Sequence, residues 1–534
     1  MTENPRFDVL LKSARIFDGA GGPWFKGDLA VEGDRIAAVG ALGDARARLE
    51  IDCAGAALAP GFIDAHSHFD LMVFEDASSA PKLMQGVTSE LLGQDGIAAA
   101  PIRPEHQADW RRHLSGLLGN PRLEWPWSTF EEYLSALEAA SPGTNLACLV
   151  PHGNLRLWAM GMEDRKAAPA ELREMVSLLR ECLEAGAVGF STGLVYPPCS
   201  YADEDEMAAL CAELVDYGGF IVVHMRSEDA RVFEALGEML RVSERSGAPL
   251  HISHLKVAGR PQFGRAGELL AEIERARERG VEVTFDQYPY TAGSTMLFAI
   301  LPEWLQEGGP DAMIERLGDA GVRERITAEL AKRGSSTVAI TDIRVASVGS
   351  EKNRRLEGRN LLEVAEALDK PLIDAVCDLL IEEDLNVSMI LFIADEGDVQ
   401  TILRHPLHIA CSDGLLGGKP HPRLYGTFPR ILGHYCRELG VLPLPEAIRK
   451  MTSAPAARLG LRDRGILRPG MKADLVVFDA DRVIDRSTYD DPCRYPEGIL
   501  HVFVNGRHAV RDGELLEANA GRVLRGRRMG SSSR

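Results

Sequence analysis

This sequence predicts a (β/α)8 barrel, an α/β fold, on three observations. Short apolar runs alternate with amphipathic helical segments through the middle of the chain, about eight strand–helix units in all. Strand-like segments of another kind, alternating apolar and polar, stand at both ends. At 534 residues the chain is also too long for one small core.

The N-terminal strands are Phe7-Asp-Val-Leu-Leu-Lys, Asp28-Leu-Ala-Val-Glu and Arg35-Ile-Ala-Ala-Val-Gly, with a turn at Gly33-Asp34. Ala473-Asp-Leu-Val-Val-Phe-Asp and Leu500-His-Val-Phe-Val-Asn-Gly506 repeat the pattern at the far end. Neither hairpin alone would have a core, so the two ends are expected to form one small β-sandwich domain from residues 1–60 and 461–520. The basic, Ser-rich end of the 521–534 tail, from Arg525 on, is expected to be disordered.

Residues 61–460 are expected to form the barrel. Its first strand is Gly61-Phe-Ile-Asp-Ala-His66-Ser-His68. The others begin near Gly86, Asn145, Ala187, Phe220, Leu250, Val281 and Leu407, with helices such as 170–185 and 204–216 between them. The interval from Leu297 to Leu391 is far longer than one helix needs, which predicts an insertion at about 297–350.

Hydrophobic residues make up 45% and charged residues 26%, as in an ordinary globular protein. A net charge of −19 argues against nucleic acid or an anionic membrane as partner, because phosphate would be repelled. Nine cysteines without CxxC spacing, no evident signal peptide and no apolar run of membrane-spanning length point to a cytoplasmic protein.

The candidate chemistry lies at strand ends, where such barrels carry their sites. Residues i and i+2 of a strand share a face, so His66 and His68 project together, as one metal ion requires. Later strand ends supply Asp95, His224, His254 with Lys256, and Asp413. A His/Asp set suits Zn²⁺ first, with Mn²⁺, Co²⁺ or Fe²⁺ as alternatives. Such a metal activates water, and Asp413 would then take the water proton and pass it to a leaving nitrogen. The reaction class that follows is hydrolysis of a carbon–nitrogen bond at a carbonyl.

Several stretches are also similar to a known family: Gly61 to His68, His224-Met-Arg-Ser-Glu, His251-Ile-Ser-His-Leu-Lys256, Ser412-Asp-Gly414 and Thr452-Ser-Ala-Pro-Ala. Ser191-Thr-Gly-Leu-Val-Tyr196-Pro, Phe285-Asp-Gln-Tyr-Pro-Tyr290, His421 to Arg430 and Asp463-Arg-Gly-Ile-Leu extend the match, in order, over nearly the whole chain. They resemble the D-aminoacylase (N-acyl-D-amino-acid deacylase) family of the amidohydrolase superfamily. The resemblance implies a distorted (β/α)8 TIM barrel, a β-sandwich from both ends, an inserted small domain over the site, and one or two zinc ions. The family pattern places a cysteine ligand in a Gly-Asn-Cys-Gly turn, whereas this chain has Gly93-Gln94-Asp95-Gly96. Aspartate is a harder ligand than thiolate, so metal identity and number turn on Asp95.

An N-acyl amino acid is a small substrate with a carboxylate, which needs cations and hydroxyls in the pocket. Arg423, as a bidentate clamp, and Lys256 are the expected cations. Tyr196, Tyr288 and Ser294 are similar in position to the family's substrate-binding residues. Arg226 and Glu228 are expected to pair with each other or to support His224, and His152 is a weaker pocket candidate. The readings in competition are an N-acyl-D-amino-acid deacylase, a cyclic amidase or a dipeptidase for D-residues, and a non-catalytic ligand-binding barrel.

Overall fold

The computed structural model describes residues 7–333, 339–516 and 519–526. Eight parallel strands form the central barrel: β1 (Phe62–Asp64), β2 (Val87–Leu92), β3 (Asn145–Pro151), β4 (Gly189–Gly193), β5 (Ile221–His224), β6 (Leu250–Ile252), β7 (Val283–Gln287) and β8 (His408–Ala410). Each pairs with the next in chain order. A parallel bridge between Ser67 and Gly414 and a 2.9 Å hydrogen bond from the Asp413 amide to the His66 carbonyl join β8 back to β1. Every residue of β2, β3 and β4 is buried, and their polar residues are hydrogen-bonded inside, as Glu90 is to Ser67 and Thr144 and Ser191 is to the Gly93 carbonyl. Amphipathic helices such as Pro169–Ala185 and Val232–Ser246 cover the outside, their buried leucines and methionines at helical spacing.

The two ends of the chain make a single nine-stranded sheet. Its seam is the antiparallel pairing of Ala57–Pro60 with Leu475–Phe478. Alternation decides what each face touches. Leu475 and Val477 join Val9, Leu29 and Phe503 in a core of the sheet's own, while Val476 and Phe478 pack on the barrel side with Phe62 and Phe428.

Between β7 and β8 lies a three-stranded antiparallel sheet of Ala292–Met296, Ile343–Val348 and Val387–Phe392, with helices between its strands. It starts before residue 297 and ends after residue 350, because its first and last strands pair with each other across about a hundred residues of chain. Just before the stretch expected to be disordered, Val523–Leu524 adds a parallel strand to Leu146–Ala147. Arg525, the first residue of that stretch, is held in place, pairing with Glu131 and donating to the Ala185 carbonyl. Residues 527–534 lie outside the described residues.

Candidate metal centre and active site

The strand ends converge on one cluster. His66 and His68 leave β1 with their Nε2 atoms 3.2 Å apart. Asp413 Oδ1 lies 3.2 Å from His68 Nε2 and 3.6 Å from His66 Nε2. Asp95, in the turn after β2, lies within 4 Å of all four histidines: His66 at 3.7 Å, His68 at 3.6 Å, His224 at 3.9 Å and His254 at 3.8 Å. The ligand atoms of His66, His68 and Asp95 lie close enough together to hold one ion, and so do those of Asp95, His224 and His254. Asp95 is common to both sets, and a third set of His66, His254 and Asp413 lies equally close together.

Local backbone explains this convergence. Asp95, His254 and Asp413 all have positive φ, at 58°, 35° and 48°. Aspartate adopts this region readily through local hydrogen bonding, whereas histidine there carries strain, a pattern concentrated at functional sites. The Asp95 turn sits against its neighbours: a Cβ on Gly96 would come within 2.8 Å of the Thr192 backbone.

A metal fits these donors. Asp95 Oδ1 and His224 Nδ1 face each other at 3.9 Å and are buried without a hydrogen-bond partner, although buried polar atoms are nearly always paired. Burial lowers His66 despite Asp413 and Asp95, and pushes His224 down to about 4, so both are neutral and able to donate a lone pair at neutral pH. His254 differs. Burial and Lys256 act to lower it, yet Glu228 and Asp95 push it up to about 10. Burial alone would raise Asp413, but Arg423 and His66 hold its carboxyl well below the usual range.

Beside the cluster is a cavity of about 180 Å³. Lys256, Arg423, Tyr196, Tyr288 and Ser294 all line it, together with Asp95, His224, His254 and Asp413. Arg423 opens the helix Arg423–Arg430 and is fully buried. Its Nη1 pairs with Asp413 Oδ2 at 2.9 Å, its Nη2 donates to the Ser294 carbonyl, and its guanidinium lies 4.4 Å from the Tyr288 ring centre. Tyr196 Oη meets Thr295 Oγ1 at 2.9 Å, and Ser294 Oγ donates to the Met389 carbonyl.

Two expectations change. Arg226 does not pair with Glu228; it pairs with Glu238 at 2.9 Å and caps the carbonyls of Ser200 and Ala202. Glu228 turns inward, 2.7 Å from Lys256 Nζ and 2.9 Å from His254 Nδ1, so it supports His254 more closely than His224. His152 does not line the cavity but bonds Thr192 and Glu206 in a buried network with Arg156. The sequence reading also missed Asp286, which accepts from the His254 amide at 2.6 Å and contacts His251 Nε2 at 2.8 Å. Its signal was its place at the end of β7, in Phe285-Asp-Gln.

A model of the amidohydrolase family matches residues 49–510. The D-aminoacylase of Alcaligenes xylosoxydans xylosoxydans is 38% identical over 98% of each chain. The chain belongs to the amidohydrolase family, in its D-aminoacylase group. Within that group, the N-acyl-D-glutamate deacylase of the same organism is 37% identical over 94% of this chain and 93% of its own. Among solved structures, the N-acyl-D-glutamate deacylase of Bordetella bronchiseptica was determined with zinc and a phosphonate inhibitor that mimics the tetrahedral intermediate. It superposes with a TM-score of 0.83 at 36% identity, over 97% of this chain and 99% of that one. At Asp95, where the resemblance leads to the expectation of a cysteine, the cluster of this amidohydrolase has a carboxylate.

Proposed function

We propose that this amidohydrolase cleaves the amide bond of N-acyl-D-amino acids with water, giving a carboxylic acid and a free D-amino acid. The observation that carries this reading is Asp413, with one oxygen against His66 and His68 and the other on Arg423 at the cavity wall. His66, His68, Asp95, His224 and His254 would hold one or two zinc ions. Bound there, zinc supplies Lewis acidity toward the acyl carbonyl and a nucleophilic water at neutral pH. Asp413 Oδ1 takes the water proton and returns it to the leaving nitrogen. Lys256 and the unpartnered Nε of Arg423 hold the substrate carboxylate, stacked near the Tyr288 ring, and Tyr196 and Ser294 complete the pocket.

The net charge of −19 supports a small-molecule substrate rather than nucleic acid. Among the described residues no helix is long and apolar enough to cross a membrane. Nine free cysteines support a reducing compartment, the cytoplasm. The test is a hydrolysis screen of N-acyl-D- and L-amino acids, dipeptides and hydantoins, before and after chelation and zinc restoration. Zinc-dependent release of D-amino acids is the expected result. Turnover of hydantoins alone, or unchanged activity without metal, would reject the reading.

A further inference from the structure

We propose that Ser191 is a positioning residue: its hydroxyl ties the turn from Gly93 to Gly96 into the shape that aims the Asp95 carboxylate at both pairs of histidines. This inference rests on the metal-dependent deacylase reading and concerns what shapes the metal seat.

The carboxylate has to be aimed from outside. Asp95 Oδ1 has no hydrogen-bond partner, so the direction of the side chain follows from its backbone. That backbone is unusual. Gly93, Asp95 and Gly96 all have positive φ, at 76°, 58° and 70°, a run of left-handed residues that the surroundings must enforce. Side chains from elsewhere hold both ends of the turn. The Gly93 amide donates to Asp70 Oδ1 at 2.9 Å, and Cys199 Sγ reaches the Gly96 carbonyl at 3.5 Å. Ser191 takes the other two groups. Its hydroxyl donates to the Gly93 carbonyl and accepts from the Gly96 amide at 3.1 Å. One O–H and one lone pair thus close the turn on both sides of Asp95.

Barrel geometry lets Ser191 reach that far. β2, which leads into the turn, and β4, which carries Ser191, both pair with β3, and alternate strands of a barrel fill the same interior layers. Ser191 and Gly193 are two residues apart and share a face. A Cβ at Gly193 would lie 2.4 Å from the Asp95 carbonyl oxygen, so β4 offers the turn a hydroxyl at one position and bare backbone at the other. Thr192 points away from the turn, with its hydroxyl 2.9 Å from His152 Nδ1. Ser191 is fully buried and does not line the cavity, so it acts through Asp95 and not on the substrate.

The test compares Ser191→Ala, Ser191→Cys and Thr192→Val in the full chain. Each is stripped by chelation and reloaded with Zn²⁺, or with Co²⁺, whose visible absorption follows the arrangement of its ligands. Chelator competition gives metal affinity, and melting temperature is recorded beside it. Ser191→Ala should weaken metal binding about 10- to 100-fold, alter the cobalt spectrum and lower kcat with little change in KM. Ser191→Cys, a weak donor, should fall between alanine and wild type, and it carries the test if the alanine variant does not fold. Thr192→Val loses a buried hydrogen bond on the other face of the same strand. It should lower the melting temperature and leave affinity and spectrum as in wild type. Wild-type affinity and spectrum in the Ser191 variants would overturn the positioning role even if their melting temperatures fall, and so would equal changes in Thr192→Val. If the affinity and spectral changes appear but the metal-loaded wild type releases no D-amino acid, the deacylase reading falls and the positioning role stands. A wild type that takes up no metal would overturn both.

Discussion

The two halves of the histidine–aspartate cluster are built differently. His66 and His68 come from one strand end and are almost wholly buried. They are fixed from behind: Asp64 accepts from the Ser412 amide at 2.8 Å and from buried Lys82 at 2.6 Å, which locks β1 to β8. His224 and His254 come from two adjacent strands and face the cavity, and the His224 side chain is 14% exposed. Behind them stand Glu228 and Lys256, which also line the cavity. The inner half is a rigid seat, while the outer half shares its carboxylate and lysine with the substrate space. Asp95 lies within 4 Å of the histidines of both halves.

The largest effect should come from Asp413, the proposed base, which flanks the inner half. Asp413→Asn is expected to lower kcat by about 10²–10⁴ with metal content unchanged, since the amide keeps the shape and loses the proton acceptor. A rate within about tenfold of wild type would remove Asp413 from that role.

A second contrast sets the two lysines against each other. Burial would lower Lys82, but Asp64 and Glu90 raise it, and its removal leaves two buried carboxylates without their cation. Lys82→Met should cost about 3–5 kcal/mol of stability in denaturant unfolding. Lys256→Met should cost less stability and raise KM instead, because Glu228 keeps His254 as a partner. Equal stability losses would erase the distinction between a rigid and an adjustable half.

Arg423→Ala should raise KM for carboxylate substrates roughly 10- to 100-fold more than for matched amides, from the loss of a charge-assisted contact. Kinetics on acid and amide pairs would check this, and an equal loss on both would reject the clamp.

The smallest effect is a control outside both halves. Burial pushes His113, stacked on Trp110, down to about 4. The unfolded chain therefore binds a proton there at a pH where the folded one does not. This part of the stability is complete above about pH 6.5 and falls as pH drops toward 4, by up to ~1.4 kcal/mol per unit. His113→Phe keeps the stack and should flatten the loss of melting temperature between pH 7.5 and 5. If the variant is as acid-sensitive as wild type, His113 does not contribute.

Much of this was legible in the sequence because the physics was local. Short apolar runs such as those ending at Gly61–His68, Phe220–His224 and Leu407–Asp413 mark strands buried on both faces, and their ends carry polar residues where chemistry or pairing holds them. What was illegible depends on long-range partners. Whether Glu228 meets Arg226 or Lys256 is decided by how β5 and β6 lie together, not by spacing. The insertion's extent depends on the pairing of Ala292–Met296 with Val387–Phe392. Val523–Leu524 is a strand only because β3 offers it an edge.

The central claim is that Asp95 joins the two halves, and Asp95→Ala tests it most directly. Metal per chain would be measured by mass spectrometry beside turnover, with Asp95→Cys as the family-like rescue. The account predicts that alanine lowers both metal content and activity, and that cysteine restores zinc binding. Full metal occupancy with wild-type turnover in Asp95→Ala would contradict it, leaving Asp95 as a turn residue.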